Sequence, residues 1–250
     1  MAKAVVLIPA RYASERLPAK TLLRQTGKYL VQHVYERAMV ATRVDQVVVA
    51  TDDERVVEAV ESFGGKAVMT STEHRSGTDR VAEAVCSIEA DIVVNVQGDE
   101  PEIDPGAIDM VVDLLERHPS ADMSTLACPV CEPERLRDPN LVKVVLDSRG
   151  YALYFSRSPI PASKSYPDFP EGDEHVYLGH LGIYGFRRDF LFRYAALERT
   201  PLEKHEGLEQ LRAIEHGHQI VVGVCSYQAL GIDTPADYRK FVRRWRGDEH

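Results

Sequence analysis

The amino-acid sequence predicts an α/β fold with a mostly parallel central sheet and a smaller hairpin region. Short apolar runs alternate with helical patterns through the first half of the chain, which is typical of strands covered on both faces by helices. In the second half the alternation stops and turn residues join two strand-like runs. With 250 residues, no internal repeat and no linker-like stretch, the prediction is a single domain over residues 1–250.

The first half predicts four strands, each followed by a helix. The strands are continuous apolar runs, and the helices show apolar residues at helical spacing with a glycine pair or a capping acid at an end. The predicted strands are Ala4–Ile8, Gln46–Thr51, Lys66–Thr70 and Asp91–Gln97. The predicted helices are Leu30–Ala41, Asp53–Phe63, Thr78–Ile88 and Pro105–Arg117, the last with Asp104 as its N-cap.

The second half predicts a hairpin and a more irregular order of elements. Turn chemistry at residues 147–150 separates two strand-like runs. A polar, proline-bearing stretch at residues 157–180, most marked over Pro159–His175, predicts a lid, a dimer-contact loop or a mobile surface connection. The other predicted elements are strands Met123–Val130, Val142–Leu146, Tyr151–Ser156, His180–Phe186 and Ile220–Tyr227, and helices Glu206–His216 and Pro235–Trp245, capped by Thr234 or Asp233.

Composition argues against two classes of partner. The chain has 30 basic and 39 acidic residues, a net charge of −9, so a general binder of nucleic acid or of a membrane surface is not expected. No apolar run approaches the ~20 residues of a membrane span. Four cysteines without a secretion pattern fit a cytoplasmic protein, and Cys128 and Cys131 are interpreted as ordinary thiols.

The loop after the first strand is the first segment that carries chemistry. It lacks both the dinucleotide-binding and the Walker glycine patterns, yet it presents Arg11, Arg16 and Lys20 within ten residues. Arginine grips phosphate oxygens through paired N–H bonds, and lysine adds a mobile point charge. These three cations therefore suit a triphosphate. The alternative is a solvated basic loop.

Acidic residues follow two predicted strands. Asp99 stands just after the fourth strand, behind Gly98, and Asp233 follows the last strand. A carboxylate at a strand end beside phosphates is a natural Mg²⁺ ligand. Helix capping is the alternative, and it is strong for Asp233 because Pro235 follows. Asp52 and Asp53 form another acidic pair, which fits capping or a contact to a sugar hydroxyl.

Several polar residues stand at turns or inside apolar patterns. Ser76 and Gly77 open a helix and could contact a base edge, or form a plain cap. Polar groups also interrupt the apolar runs of the second half, where a lone histidine is usually structural and the two helical residues could equally face solvent. These second-half positions are Arg157, His180, Tyr184, Glu209 and Gln210.

Taken together, the motifs at these positions resemble one family. The patterns are I-P-A-R-Y-x-S-x-R-L-P-x-K, V-A-T-D, S-G-T-D-R, V-N-V-Q-G-D-E-P, Y-F-S-R, H-L-G-I-Y-G, L-E-Q-L-R and G-I-D-T-P. In this order, from about residue 4 to about residue 242, they resemble the 3-deoxy-manno-octulosonate (Kdo) cytidylyltransferases. Two departures stand beside a retained lysine: Ala19-Lys20-Thr21 replaces the family's usual Gly-Lys-Pro, and Gly27-Lys28-Tyr29-Leu30 its usual Gly-Lys-Pro-Met.

The resemblance implies a glycosyltransferase-A-like nucleotidyltransferase fold, a homodimer in the cytoplasm, and Mg²⁺ as cofactor. It implies the reaction of CTP with Kdo to give CMP-Kdo and diphosphate, which activates Kdo for lipopolysaccharide biosynthesis. Other acceptors, such as 8-amino-Kdo or sialic acid, and a non-catalytic nucleotide sensor are the alternatives.

The resemblance also implies a role for each candidate residue. Arg11, Arg16 and Lys20 would hold the triphosphate, and Arg11, Lys20, Asp99 and Asp233 would form the catalytic set. Ser76, Gly77 and Gln97 would meet the cytosine. Asp99 and Asp233 would bind Mg²⁺. The sugar acid would be held by Arg157, His180, Tyr184, Glu209 and Gln210.

Overall fold

The computed structural model describes residues 2–13, 17–74, 76–162, 176–227 and 230–248. The contacts divide the chain into two compact units. Unit 1 consists of Met1–Asp109 and Ala229–His250, and unit 2 consists of Met110–Gln228. The single domain expected over residues 1–250 stays a prediction.

Strands and helices alternate through the first half, as predicted. The strands are β1 (Ala4–Pro9), β2 (Gln46–Thr51), β3 (Ala67–Met69), β4 (Ile92–Asn95), β5 (Met123–Pro129), β6 (Lys143–Leu146), β7 (Ala152–Ser156), β8 (Leu178–Arg187) and β9 (Ile220–Val224). The α-helices are α1 (Leu30–Ala38), α2 (Glu54–Ser62), α3 (Gly77–Ala84), α4 (Pro105–Arg117), α5 (Pro133–Arg137), α6 (Arg188–Ala196), α7 (Pro201–Glu206), α8 (Gln210–Glu215) and α9 (Pro235–Arg246). Short 3₁₀ helices cover Lys20–Leu22 and Val85–Ser87.

Unit 1 contains a parallel sheet in the order β3-β2-β1-β4. Each pairing within this unit is parallel, with Val6 of β1 opposite Val47 on one side and Val94 on the other. Residues 4–8 of β1 are at most 1% exposed, because helices cover both faces of such a sheet. This confirms the predicted α/β class with a mostly parallel sheet. It also brings the carboxyl ends of β1 and β4 to the same edge.

The C-terminal helix belongs to unit 1 although it lies far along the chain. Tyr238 and Phe241 of α9 share a buried cluster with Leu17 and Leu30. Thr234 caps α9 by accepting a hydrogen bond from the backbone N–H of Asp237, as one of the two predicted caps. This return places the segment before α9 next to the end of β4, where the Ile232 backbone N–H donates to the Asp99 carbonyl over 2.9 Å.

Unit 2 has a mixed sheet. It lies in the half of the chain where the alternation of strands and helices was predicted to stop. β5 pairs antiparallel with β8 and parallel with β9. The predicted hairpin is present as β6 and β7, and β6 also pairs with β8. Asp147 holds the turn by accepting from the backbone N–H groups of Arg149 and Tyr151. Gly150 completes it with φ of +85°, a value that favours glycine.

One predicted helix is wrong in its extent. The pattern over Glu206–His216 predicts one helix, whereas the structure has α7 ending at Glu206 and α8 starting at Gln210. Gly207 adopts φ of +66° between them and acts as a left-handed C-cap. The predicted helix therefore corresponds to α8, and the helices α5, α6 and α7 were not predicted. Most of the predicted loop, residues 163–175, lies outside the described residues.

Two smaller expectations concern cysteines and membrane spans. Cys128 is buried, Cys131 is exposed, and both are free. None of the helices in the described part of the chain has the length and apolar character needed to cross a membrane.

Candidate active site

A lysine and two carboxylates meet at the carboxyl edge of the unit 1 sheet. Lys20 Nζ lies 2.7 Å from Asp99 Oδ2 and 3.4 Å from Asp233 Oδ1. The lysine side chain is only 13% exposed. The structure thus brings together three predicted catalytic residues that are separated by up to 213 positions in the sequence.

The backbone before Lys20 explains how the lysine is aimed. Ala19 has φ of +51°, in the left-handed region that costs a residue with a Cβ atom roughly 1–2 kcal/mol. The chain turns sharply there into the 3₁₀ helix Lys20–Leu22. Ala19 is one of the positions at which the sequence departs from the family pattern, so this alanine carries a strain that glycine would not.

A cavity of about 220 Å³ lies beside the lysine. It is open to solvent and combines cationic, amide and backbone groups in one concave surface, which suits a charged small molecule. Its lining residues are Pro9, Arg11, Ala13, Lys20, Thr21, Gly77, Gln97, Gly98 and Asp99. Five of the predicted nucleotide or metal residues therefore line one cavity within unit 1: Arg11, Lys20, Gly77, Gln97 and Asp99.

Gly98 is required by the close approach of two strand ends. A Cβ atom built there would lie 2.8 Å from the carbonyl oxygen of Pro9. Any larger residue would push the Asp99 turn away from the end of β1. The backbones of the two strand ends therefore approach each other closely at Gly98.

The S-G-T-D-R segment has a mixed structural role. The Ser76 hydroxyl caps α3 by accepting from the backbone N–H of Asp79 over 3.1 Å, so the capping alternative holds for this residue. Arg80 is fully buried and donates to Asp52 Oδ2 over 2.7 Å. This ion pair ties the end of β2 to α3, next to the cavity wall formed by Gly77.

Thr21 is a cavity residue that sequence reasoning missed. Its side chain is 4% exposed, and its hydroxyl has no hydrogen-bond partner among the described residues. A buried hydroxyl without a partner is costly, so a ligand that pairs with it gains binding energy. The substitution of threonine for the usual proline was the available signal. Arg16, in contrast, lies outside the described residues.

Glu100 follows Asp99 but is largely protonated at neutral pH. Its side chain is 8% exposed. Burial, with a smaller contribution from the neighbouring Asp99, raises the pKa of Glu100 to about 8. The acidic turn after β4 thus presents one carboxylate, that of Asp99, rather than two.

In unit 2, two of the predicted sugar residues lie side by side on β8. The rings of His180 and Tyr184 have centroids 5.4 Å apart, and both residues are partly exposed. Loss of solvation lowers the pKa of His180 to about 3. Burial also raises the pKa of the Tyr184 phenol, with Tyr194 and Glu209 adding to the shift. Both groups are therefore neutral near pH 7.

Gln210 is buried with an unused donor. Its side chain is 3% exposed and its Nε2 atom has no partner among the described residues. The alternative that this residue faces solvent is therefore wrong. The neighbouring Glu209 accepts a hydrogen bond from the Tyr194 hydroxyl through its backbone carbonyl, over 2.7 Å, which fixes the start of α8.

Arg157 is held by main-chain groups. Its Nε donates to the carbonyl of Glu206 over 2.8 Å, and its Nη1 donates to the carbonyl of Pro139 over 3.0 Å. Its backbone N–H donates to the Glu206 carboxylate, and its carbonyl accepts from Lys143. Among the described residues none accepts from Nη2. The prediction that Arg157 holds the sugar acid therefore depends on that nitrogen.

We expect Arg157→Ala to lower the unfolding midpoint by several degrees. It removes two hydrogen bonds to carbonyls, each worth about 1 kcal/mol, and 1 kcal/mol shifts the midpoint of a chain this long by about 2–4 °C. If Nη2 also meets the sugar carboxylate, the KM for the sugar acid rises about thirty-fold in the folded variant. Thermal unfolding and a sugar titration on the same sample separate the two roles. An unchanged midpoint would contradict the structural contacts.

Asp99 and Asp233 have the donor chemistry for a magnesium ion. Both offer hard carboxylate oxygens, and both point at one cation, the Lys20 ammonium. Within the described ranges there is no group of three or more His, Cys, Asp or Glu residues that could hold a metal. The residues therefore fit an ion that takes two protein carboxylates and completes its shell with water and phosphate oxygens.

Fold and site together define a nucleotide-dependent transferase, and the comparisons with known proteins specify which. The family model described as cytidylyltransferase matches residues 5–220, and the chain belongs to that family. A solved structure described as CMP:2-keto-3-deoxy-manno-octonic acid synthetase complexed with CTP is 43% identical. The superposition covers 99% of this chain and 100% of the solved chain, with a TM-score of 0.92.

Two curated relatives show how specific the similarity is. The 3-deoxy-manno-octulosonate cytidylyltransferase of Syntrophotalea carbinolica is 47% identical, over 96% of this chain and 98% of its own. The 8-amino-3,8-dideoxy-manno-octulosonate cytidylyltransferase of Shewanella baltica is also 47% identical, over 96% of this chain and 97% of the length of that relative. The resemblance found in the motifs is confirmed by these relatives.

Proposed function

We propose that the protein transfers the cytidylyl group of CTP to Kdo, releasing diphosphate. The observation that carries this proposal is the cluster of Lys20, Asp99 and Asp233 beside a cavity lined by Arg11 and Gln97. This cluster lies in a member of the cytidylyltransferase family. The CTP complex of the relative with a TM-score of 0.92 supports CTP as the nucleotide.

The nucleotide is assigned to unit 1. Lys20 and Arg11 neutralise the triphosphate, joined by Arg16. Gly77 and Gln97 contact the cytosine from the cavity wall, and Ser76 stands beside them as the cap of α3. Because phosphoryl transfer depends mainly on positioning and on neutralising charge, a set of cations without a strong base is sufficient.

Magnesium is the proposed cofactor. Asp99 and Asp233 would hold it, and when bound it supplies positive charge that stabilises the negative charge developing on the phosphates. Lys20 pairs with the same carboxylates in this structure. A divalent ion held by these carboxylates would compete with the lysine for them, and would leave the Lys20 ammonium available to phosphate.

The sugar acid is assigned to residues of unit 2. His180 and Tyr184 present neutral hydrogen-bonding groups, Gln210 offers an unused buried amide donor, and Glu209 and Arg157 add opposite charges. The anomeric oxygen attacks the α-phosphorus and forms the new P–O bond. The bond from the α-phosphorus to the bridging oxygen breaks, its electron pair leaves with diphosphate, and the hydroxyl proton is released to solvent.

A second acceptor has specific support. Relatives described as 8-amino-3,8-dideoxy-manno-octulosonate cytidylyltransferases are as similar to this chain as those described for Kdo itself. The two sugars differ only at C8, far from the anomeric centre. We also propose, from the resemblance, that the enzyme is a homodimer that works in the cytoplasm, where CTP is available, and that it serves lipopolysaccharide biosynthesis.

Diphosphate release with a panel of acceptors tests the proposal. With CTP and Mg²⁺ we expect Kdo to give the highest kcat/KM, 8-amino-Kdo a lower value, and sialic acid none. Preference for 8-amino-Kdo would reassign the acceptor. Tight CTP binding without turnover of any acceptor would identify a sensor instead of an enzyme.

A further inference from the structure

The sugar residues of β8 are brought together by an irregularity in the strand. Thr125 of β5 pairs with Tyr184, and the next residue, Leu126, pairs with Leu181. Two residues of β8, Gly182 and Ile183, are therefore bulged out of the ladder. In a regular strand, residues four apart are about 13 Å apart, yet the rings of His180 and Tyr184 lie at 5.4 Å. The bulge makes them neighbours.

One hydroxyl group lies at the centre of this bulge. Thr125 Oγ1 is 2.7 Å from the carbonyl oxygen of Ile183, 3.1 Å from that of Leu181 and 2.9 Å from His180 Nε2. The threonine is completely buried. Bulged residues lose their ladder partners. The Thr125 hydroxyl lies within hydrogen-bond distance of the carbonyl of the bulged Ile183 and of the carbonyl of Leu181 beside the bulge.

Counting protons assigns the direction of each contact. A hydroxyl has one proton and two acceptor lone pairs, and a carbonyl oxygen only accepts. The Thr125 proton must therefore point to a carbonyl, for which Ile183 is the nearer. The contact to His180 then has to run the other way, with Nε2 donating its proton to Oγ1.

The consequence for His180 follows from its charge. A neutral imidazole carries one N–H, and the pKa of His180, lowered to about 3 by loss of solvation, keeps the ring neutral near pH 7. With the proton on Nε2, Nδ1 carries a bare lone pair. None of the described residues donates a hydrogen bond to Nδ1, and the residue is partly exposed.

We propose that Thr125 is a positioning residue of the sugar site, which locks His180 in the Nε2–H tautomer so that Nδ1 accepts a hydrogen bond from a sugar hydroxyl. This inference rests on the proposed function, because it takes His180 as a sugar residue. It deepens that assignment in two ways. It names the hydrogen-bonding role of His180, and it makes the spacing of His180 and Tyr184 depend on a residue of another strand.

The test compares Thr125→Val, which keeps the shape and removes the hydroxyl, with Thr125→Ser, which keeps the hydroxyl. Ser124→Ala is the matched control. Ser124 is the preceding residue of β5, is fully buried, and donates to the Val111 carbonyl over 2.7 Å, without contact to His180. The Ser124→Ala substitution therefore removes one buried hydrogen bond from a hydroxyl to a carbonyl and leaves the bulge intact.

We expect Thr125→Val to raise the KM for Kdo about ten-fold, since one lost hydrogen bond of about 1.4 kcal/mol is a factor of ten. The KM for CTP stays unchanged, and Thr125→Ser restores most of the sugar binding. Ser124→Ala lowers stability without changing either KM. If Thr125→Val and Ser124→Ala weakened Kdo binding equally, the positioning role would be overturned and only a structural role would remain.

Nitrogen-15 NMR of the histidine side chains reads the tautomer directly, with His180→Gln identifying the signal. We expect a protonated Nε2 and a bare Nδ1 in the wild type, and a mixture of tautomers in Thr125→Val. A wild-type ring protonated at Nδ1, or an unchanged tautomer in Thr125→Val, would overturn the inference. Because the spectra need no turnover, absence of Kdo activity in the wild type would count against the proposed function and leave this result intact.

Discussion

Asp99→Asn is expected to lower kcat by about a thousand-fold while the protein stays folded. The substitution keeps the size of the side chain and removes the charge that Lys20 and a magnesium ion both require. Loss of several kcal/mol of charge stabilisation in the transition state corresponds to about three orders of magnitude in rate. Steady-state kinetics at saturating CTP and Kdo, with Mg²⁺ varied, provides the measurement. The apparent Mg²⁺ requirement should rise together with the loss of kcat.

The control for this substitution is Asp53→Asn. Asp53 also follows a strand of the unit 1 sheet, and it caps α2 by accepting from the Arg55 backbone N–H. Asparagine is as good a cap as aspartate, so kcat should remain at the wild-type value. Asp233→Asn should behave like Asp99→Asn. If Asp99→Asn or Asp233→Asn kept near wild-type turnover at limiting Mg²⁺, the altered aspartate would not be a magnesium ligand.

The strand ends of unit 1 were predictable because local patterns determine them. The apolar runs mark β1 and β4, and the glycine and acid after β4 mark the turn that carries Asp99. Parallel strands then place their carboxyl ends at one edge. The C-terminal segment that brings Asp233 to Lys20 was harder to predict. The sequence around Asp233 indicates only a helix cap and does not indicate which strand end it meets. Its position next to β4 depends on the packing of α9 against Leu17 and Leu30.

Unit 2 was less predictable because its contacts depend on register and on breaks. The role of Thr125 follows from a two-residue bulge between β5 and β8, and no local pattern specifies such a shift. The helical spacing after Glu206 hid the break at Gly207, although a glycine inside a helical pattern was a signal. Since that break presents the Glu206 carbonyl to Arg157, the main-chain contacts of the arginine were also missed.

Lys20→Met is expected to raise the KM for CTP about ten- to hundred-fold with little change in the KM for Kdo. Methionine keeps much of the length of the side chain and removes the ammonium. Hydrogen bonds to charged groups are worth about 1.5–3 kcal/mol, and each 1.4 kcal/mol is a factor of ten. The variant also leaves Asp99 and Asp233 without the cation between them, so that two carboxylates face an incoming triphosphate. Isothermal titration with CTP, and kinetics with each substrate varied in turn, measure the effect.

Lys28→Met is the matched control, because Lys28 belongs to the same unit and pairs with Glu36 on the surface, where its side chain is 38% exposed. It should leave both KM values unchanged. The Lys20 variant distinguishes two roles for its ammonium. If the lysine binds phosphate, CTP affinity falls at every Mg²⁺ concentration. If the lysine only neutralises the two carboxylates, its removal strengthens Mg²⁺ binding, and saturating Mg²⁺ restores CTP affinity completely. A rise in the KM for Kdo alone would contradict both roles and place Lys20 with the sugar instead of the nucleotide.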